Sequence, residues 1–344
     1  MGTFLTLLVN GLAQGSLVFL MAAGLSIILG LMGVVNFSHG TLFLWGGYSF
    51  VWSYYAIRFK VVSSMFADAV PLNEVGNYLH IQGISLPEGA SLPFMYEFGI
   101  FIAALAIAVT LVFVMGIIFE KLFINRVYGN VPAQILITLG IQVVFTDIVR
   151  LIWGPNPFPV DRPPFLNGVS ALGSARIVHY NLFLIAIGLL TALIIQRILT
   201  KTKIGMVIRA GLQSPEHVRA IGINIKAYFM FVFAAGSALA GLGGALYMPL
   251  VGSVVSTAGM NNQILAFIVV VVGGLGSFIG SFLGSIFLGL MGVAIAMFIP
   301  AFAVVANVLV MALVLMFKPD GLFPDGIKIP QIKLFKAAER KVQQ

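Results

Sequence analysis

Long apolar runs separated by short polar interruptions make up this chain, and the spacing of the interruptions predicts its elements. From Leu7 to Leu31 only Asn10, Gln14, Ser16 and Ser26 break the apolar register, a stretch long enough to cross about 30 Å of hydrocarbon as a helix. Gly30, Gly33 and then Asn36-Phe37-Ser38-His39-Gly40 form a polar break with helix-ending chemistry, and apolar residues resume from Thr41 to Ile57. Residues 58–95 are polar, with Asp68, Glu74 and Glu88 outnumbering Arg58 and Lys60, and read as the longest extracytoplasmic loop. Glu97–Phe119 and Pro132–Trp153 are the third and fourth spans, joined by a short basic turn from Glu120 to Arg126. Gly154-Pro155-Asn156-Pro157 stops the fourth, because proline cannot donate the backbone bonds a helix needs. Tyr180–Leu199 is the fifth span and Ala227–Leu250 the sixth. From Gln263 to Phe317 the chain is mostly apolar, broken at Gly273-Gly274-Leu275-Gly276-Ser277 and near Pro300, which predicts three short or tilted helices. The fold class is all-α: a polytopic helical membrane protein with eight or nine transmembrane helices and Gly-broken segments.

Composition strengthens this reading. The chain is 60% hydrophobic and 9% charged, and its mean hydropathy of +1.07 lies beyond the range of ordinary soluble domains. The 38 glycines fall inside apolar runs, notably Phe233 to Tyr247 (FAAGSALAGLGGALY), where small residues let helices approach closely. The net charge of +8 collects beside the spans without the interleaved aromatic surface of a nucleic-acid groove, so nucleic acid is not a predicted partner and the bilayer is. The bases Arg197, Lys201, Lys203, Arg209, Arg219 and Lys226 surround the 200–226 loop, whose one acid is Glu216. The positive-inside rule makes that loop cytoplasmic, together with the 121–126 turn and the 318–344 tail, and puts the amino terminus outside.

Within the 200–226 loop the order of residues predicts a helix of about two turns. Ser214 is a cap, Pro215 suits the first helical position, Glu216 sits where the dipole favours an anion, and Gly222 is a stop. So short a helix needs external support, from the flanking spans and from a partner. Asp147 and Arg150, three residues apart, predict a local ion pair, and Glu120 beside Lys121 reads the same way. The two Gly-broken interruptions could be a matched pair lining a solute path at the membrane midplane. Asn36, Ser38 and His39 with Gly273, Gly274, Gly276 and Ser277 are the candidate pathway residues. His39 could instead satisfy a loose helix end. The absence of cysteine excludes thiol chemistry, and no nucleotide-binding loop or hydrolase motif is present, so no catalytic residue, metal or cofactor is assigned and an energy source must come from elsewhere.

Three stretches carry a family resemblance: GLAQGSLVFLMAAGLSIILGLMGVVNFSHG (11–40), KTKIGMVIRAGLQSPEHVRAIGIN (201–224) and VVGGLGSFIGSFLGSIFLG (271–289). With these the sequence resembles the permeases of branched-chain amino acid ATP-binding cassette importers, of the LivH and LivM type. The resemblance implies a single transmembrane permease domain over 1–344 in a bacterial or archaeal cytoplasmic (inner) membrane. It also implies two ATP-binding cassette subunits, a second permease subunit (a related chain or a homodimer) and an extracytoplasmic solute-binding protein. Permeases of this kind carry a cytoplasmic E-A-A-x-x-x-G motif that docks on the ATPase. Here Glu216 and Gly222 hold its outer positions while His217 and Val218 replace the alanines, so Ser214, Pro215, Glu216, His217, Arg219 and Gly222 are the expected coupling helix. Related permeases carry urea, short amides or aromatic acids, which remain alternative solutes. A passive channel is the competing class, and its flux would survive loss of an ATPase.

Overall fold

The computed structural model describes residues 2–66, 70–76, 81–86 and 90–323; within these, the side chains of 70–85, 212–213, 215–216 and 303–304 lie outside the description. Among the described residues the helices are α1 (Gly2–Met32), α2 (His39–Met65), α3 (Phe94–Leu122), α4 (Val131–Trp153), α5 (His179–Lys201), α6 (Lys203–Gln213), α7 (Pro215–Ala220), α8 (Ile225–Val251), α9 (Ala258–Gly273), α10 (Phe278–Phe298) and α11 (Ala303–Phe317). By length and composition α1, α3, α4, α5, α8 and α10 can each cross a membrane, while α9 and α11 are shorter apolar helices. The polytopic helical fold is the one the hydropathy pattern demands, because backbone polar groups in hydrocarbon must be satisfied within the segment.

Among the described residues, strands are confined to the connections. They are β1 (Val70–Gly76), β2 (Ile81–Ser85), β3 (Phe158–Pro159), β4 (Val169–Leu172), β5 (Ala175–Val178) and β6 (Ser253–Val254), paired antiparallel as β1 with β2, β3 with β6 and β4 with β5. The β3–β6 ladder ties the loop after α4 to the loop after α8, and Val160 N–H adds a bond to Gly252 O at 3.0 Å. Gly2, at the start of α1, packs on Ser174 and Ala175, at the turn of the β4–β5 hairpin. That end of the bundle is therefore shared by the start of α1 and the connection that precedes α5.

The loop expected over 58–95 is shorter than the polar pattern suggested. Helix α2 runs on to Met65 and α3 begins at Phe94. The extra turns hold because Arg58 forms an ion pair with Glu97 at 3.2 Å, and Tyr54 donates to the same carboxylate at 3.3 Å. Ser63 and Ser64 turn their hydroxyls back onto the carbonyls of Phe59 and Val61. Residues 67–69, 77–80 and 87–89 of that loop lie outside the described residues, as do 324–344 of the expected tail.

The core is a set of close helix crossings between α1, α2, α8, α9 and α10. The small-residue run on α8 is buried packing, as its sequence indicates: a Cβ on Gly244 would stand 1.8 Å from the Phe43 carbonyl oxygen of α2, so only glycine fits that crossing. Helix α10 lies antiparallel to α1, with Gly30 on Gly276, Gly15 on Ser285 and Gly11 on Leu290. Aromatic edges fill the wider gaps, with Tyr48 and Trp45 against Trp153, and Phe19 against Phe278 and Phe282.

Candidate translocation region and coupling loop

Between α1 and α2 the backbone leaves helix at Gly33 and stays irregular through Ser38. Asn36, Ser38 and His39 are fully buried, so the amides and carbonyls of this break need partners. Helix α4 supplies two: Val35 N–H donates to Gln134 Oε1 at 3.2 Å, and Phe37 N–H donates to Thr138 Oγ1 at 3.1 Å. Both acceptors are themselves fixed, since Gln134 Nε2 donates to Val127 O and the Thr138 hydroxyl donates to Gln134 O. Helix α9 supplies the third, Gln263 Nε2 donating to Asn36 O at 3.2 Å. Ser38 donates to Asn36 Oδ1 at 2.6 Å, and His39 Nε2 bonds Met21 O of α1 at 3.0 Å. Three buried polar atoms are left without partners: Asn36 Nδ2, His39 Nδ1 and Gln263 Oε1.

The second break is built differently. Gly274 and Gly276 take positive φ (111° and 77°), the turn carries the chain from α9 into α10, and Ser277 Oγ accepts from Gly280 N at 2.9 Å as the α10 cap. After α11 the chain returns to the same place: Leu322 N–H donates to Val272 O at 2.8 Å and Phe323 N–H to Gly273 O at 3.2 Å, closing free carbonyls at the end of α9. Gly273, Gly274, Gly276 and Ser277 thus stand against α1, α10 and residues 321–323, apart from the polar cluster at Asn36–His39. Neither break lines the cavity of about 250 Å³ bounded by α1, α9, α10 and α11 or the narrow crevice between α1, α2, α8 and α9.

In the 200–226 loop the structure adds a helix the pattern did not suggest. Helix α6 is capped by Thr202, whose Oγ1 accepts from Gly205 N at 3.2 Å, and it buries Gly205, Ile208 and Gly211 against its neighbours. Helix α7 follows as expected, Ser214 Oγ accepting from His217 N. Its exit is a Schellman turn: Gly222 at φ 83°, with Ile223 N–H bonded to Val218 O and Gly222 N–H to Arg219 O. Val218 is buried while Ile221 is 73% exposed, so the far side of this turn presents an apolar residue outward. His217, Arg219 and Gly222 are also exposed, and the side chains of Pro215 and Glu216 lie outside the described residues.

Arg150 and Asp147 do pair, at 2.9 Å, and Arg150 Nε also donates to Ser256 Oγ. Glu120 accepts instead from the Tyr128 hydroxyl at 2.8 Å, eight positions along, because the turn after α3 folds back over it. Burial, reinforced by the Glu120 carboxylate, holds the Tyr128 hydroxyl well above its ordinary pKa, so it stays a donor. Sequence reasoning overlooked Gln134, Thr138 and Gln263. The signal available was a few carboxamides and hydroxyls placed singly in otherwise apolar spans.

Against known proteins, the family described as branched-chain amino acid transport system / permease component matches residues 7–318. The chain belongs to this family. It is 25% identical to the high-affinity branched-chain amino acid transport system permease protein BraD of Pseudomonas aeruginosa over 328 residues, covering 93% of this chain and 95% of the relative. It is 23% identical to the high-affinity branched-chain amino acid transport system permease protein LivH of Escherichia coli K12 over 326 residues, with the same coverage. A third relative, the autoinducer 2 import system permease protein LsrC of an Enterobacter strain, is 28% identical over 60% of this chain and 57% of its own. No solved structure matches significantly. Membership makes this chain an integral membrane permease component of a transport system.

Proposed function

We propose that this chain is the membrane-spanning subunit of an ATP-driven importer of branched-chain amino acids. It works with two ATP-binding cassette subunits, a second permease and an extracytoplasmic binding protein, in a cytoplasmic (inner) membrane. The observation that carries this reading is the family match across residues 7–318, which spans both breaks and the whole 200–226 loop. Nine spans result if α1 to α5 and α8 to α11 all cross, which puts Gly2 outside and α6–α7 inside, in agreement with the basic residues of that loop.

In this reading α7 is the coupling helix. Its cap and Schellman turn hold a rigid, exposed end that an ATPase can push, and Ile221 supplies an apolar contact. Closure of the ATPase pair on ATP moves α7, and α6 transmits the displacement to α5 and α8, against which it packs. The two breaks are the points at which the transmembrane helices can re-angle, and the unpaired polar atoms at Asn36, His39 and Gln263 gain partners when the path opens. The test is uptake of labelled leucine into proteoliposomes holding the purified complex with its binding protein. ATP-dependent uptake that stops when the ATPase subunits are left out is expected. Uptake that persists without them would establish the channel class instead.

A further inference from the structure

The cavity between α1, α9, α10 and α11 has the chemistry of a solute site. Its walls are apolar, from Val18, Leu265, Leu288 and Val293, and two carboxamides break them, Gln14 and Asn307. Asn307 Oδ1 is buried and has no hydrogen-bond partner, and among the described residues the Gln14 carboxamide has none either. An unsatisfied acceptor in an apolar wall is unfavourable unless water or a ligand supplies the donor, and the cavity has room for either. Gly292 leaves its backbone bare here: a Cβ on it would meet only Asn307 Oδ1, at 3.9 Å. The cavity runs from buried Leu288 to exposed Ala296, at the end of the bundle where α1 begins.

Size and charge narrow the ligand. About 250 Å³ is below the roughly 300–1,000 Å³ of clefts that take drug-sized molecules. It equals the liquid volume of about eight waters, which suits one small solute. No charged side chain lines it, so a net charge on the ligand would go uncompensated. A carboxamide offers both an acceptor for an ammonium and donors for a carboxylate.

We propose that this cavity is the chamber that receives the transported solute inside the protomer, and that Gln14 and Asn307 bind the charged ends of a zwitterionic aliphatic amino acid whose side chain lies on the apolar wall. The inference rests on the importer reading above and adds a location and a specificity to it. Gln14 also lines the narrow crevice with Met21, Phe43, Tyr247 and Asn262, and Met21 O holds His39. The crevice, about 10 Å³, is at the lower limit for one water, so the route from chamber to polar break is shut in this conformation. Gln14 stands at its gate.

Because the chain has no native cysteine, single cysteines report cleanly. In the assembled complex, Gly292→Cys and Ala296→Cys, which line the cavity without supplying a binding group, should react with a water-soluble thiol reagent, and leucine should slow the reaction about tenfold, as a tenfold fall in the unoccupied fraction gives. Lysine should not protect, and Leu190→Cys on the exposed face of α5 should be indifferent to both. Reaction only with a membrane-partitioning reagent would make the cavity a lipid crevice and overturn the proposal. So would labelling that ignores leucine in a complex that still imports it, an outcome that leaves the importer reading intact. Absence of leucine uptake by the wild type would bring down both. Should the cysteine variants fail to assemble, Gln14→Leu serves: a rise of about tenfold in the leucine concentration for half-maximal uptake is expected, and an unchanged value removes Gln14 from the site.

Discussion

The two interruptions of the apolar sequence, at 33–38 and 274–277, look alike on paper and are held by opposite means. The first is an irregular segment sunk in the bundle, whose backbone N–H groups donate to Gln134 and Thr138 and whose Asn36 carbonyl accepts from Gln263, all side chains of other helices. The second is a tight glycine turn met by backbone, with Gly30 of α1 against Gly276 and residues 322–323 bonded to the end of α9. A break held by side chains can exchange its partners one at a time and keeps spare polar atoms. A break held by backbone contact leaves no room for an added atom.

The largest expected effect follows from the second kind. Gly30→Val places a Cβ 2.5 Å from Gly276 Cα, backbone that cannot yield, so the variant should fail to accumulate as folded protein, measured by membrane abundance and monodispersity in detergent. The side-chain-held break should soften rather than collapse: Thr138→Val leaves the Phe37 amide unpaired and should cost about 1–3 kcal/mol, seen as a lower midpoint of thermal unfolding in detergent. An unchanged midpoint would mean the amide finds another partner and the contrast is false. In the 200–226 loop, Gly222→Ala forces an alanine into left-handed geometry at about 1–2 kcal/mol with open space around it. Abundance should hold while leucine-stimulated ATP hydrolysis falls. The most local test is His39→Ala, which removes one bond to Met21 O, worth about 1 kcal/mol, and adds the cost of the cavity left by a fully buried side chain. Uptake should drop while ATPase co-purification is unaltered, and full uptake would leave His39 a structural cap.

Much of this was legible in the residues. Apart from α2, the apolar runs gave the long spans to within about five positions, and Ser214, Pro215 and Gly222 announced α7 with its cap and its stop. The end of α2 was not legible, because Arg58 reads as a loop charge until it is seen to face Glu97 at the start of the third span. Helix α6 was missed because it is held by three small or apolar residues facing neighbours distant in sequence, in a stretch rich in lysine and arginine. The candidate pathway residues were found as polar exceptions, yet their anchors on α4 and α9 lie about a hundred and more than two hundred positions away.

What the sequence determined by itself was the solvent: a chain this apolar must satisfy its backbone within helices, and the basic flanks orient them. It also determined each local stop and cap, because those depend on residues within one or two turns. Only the tertiary structure decided which polar atoms are answered and which are left open. Pairing depends on long-range geometry, in which a glycine on one helix sets how closely another can approach and so which carboxamide reaches which amide. Gln134 became an anchor and Asn307 Oδ1 an unmet acceptor, although both are single carboxamides in apolar runs.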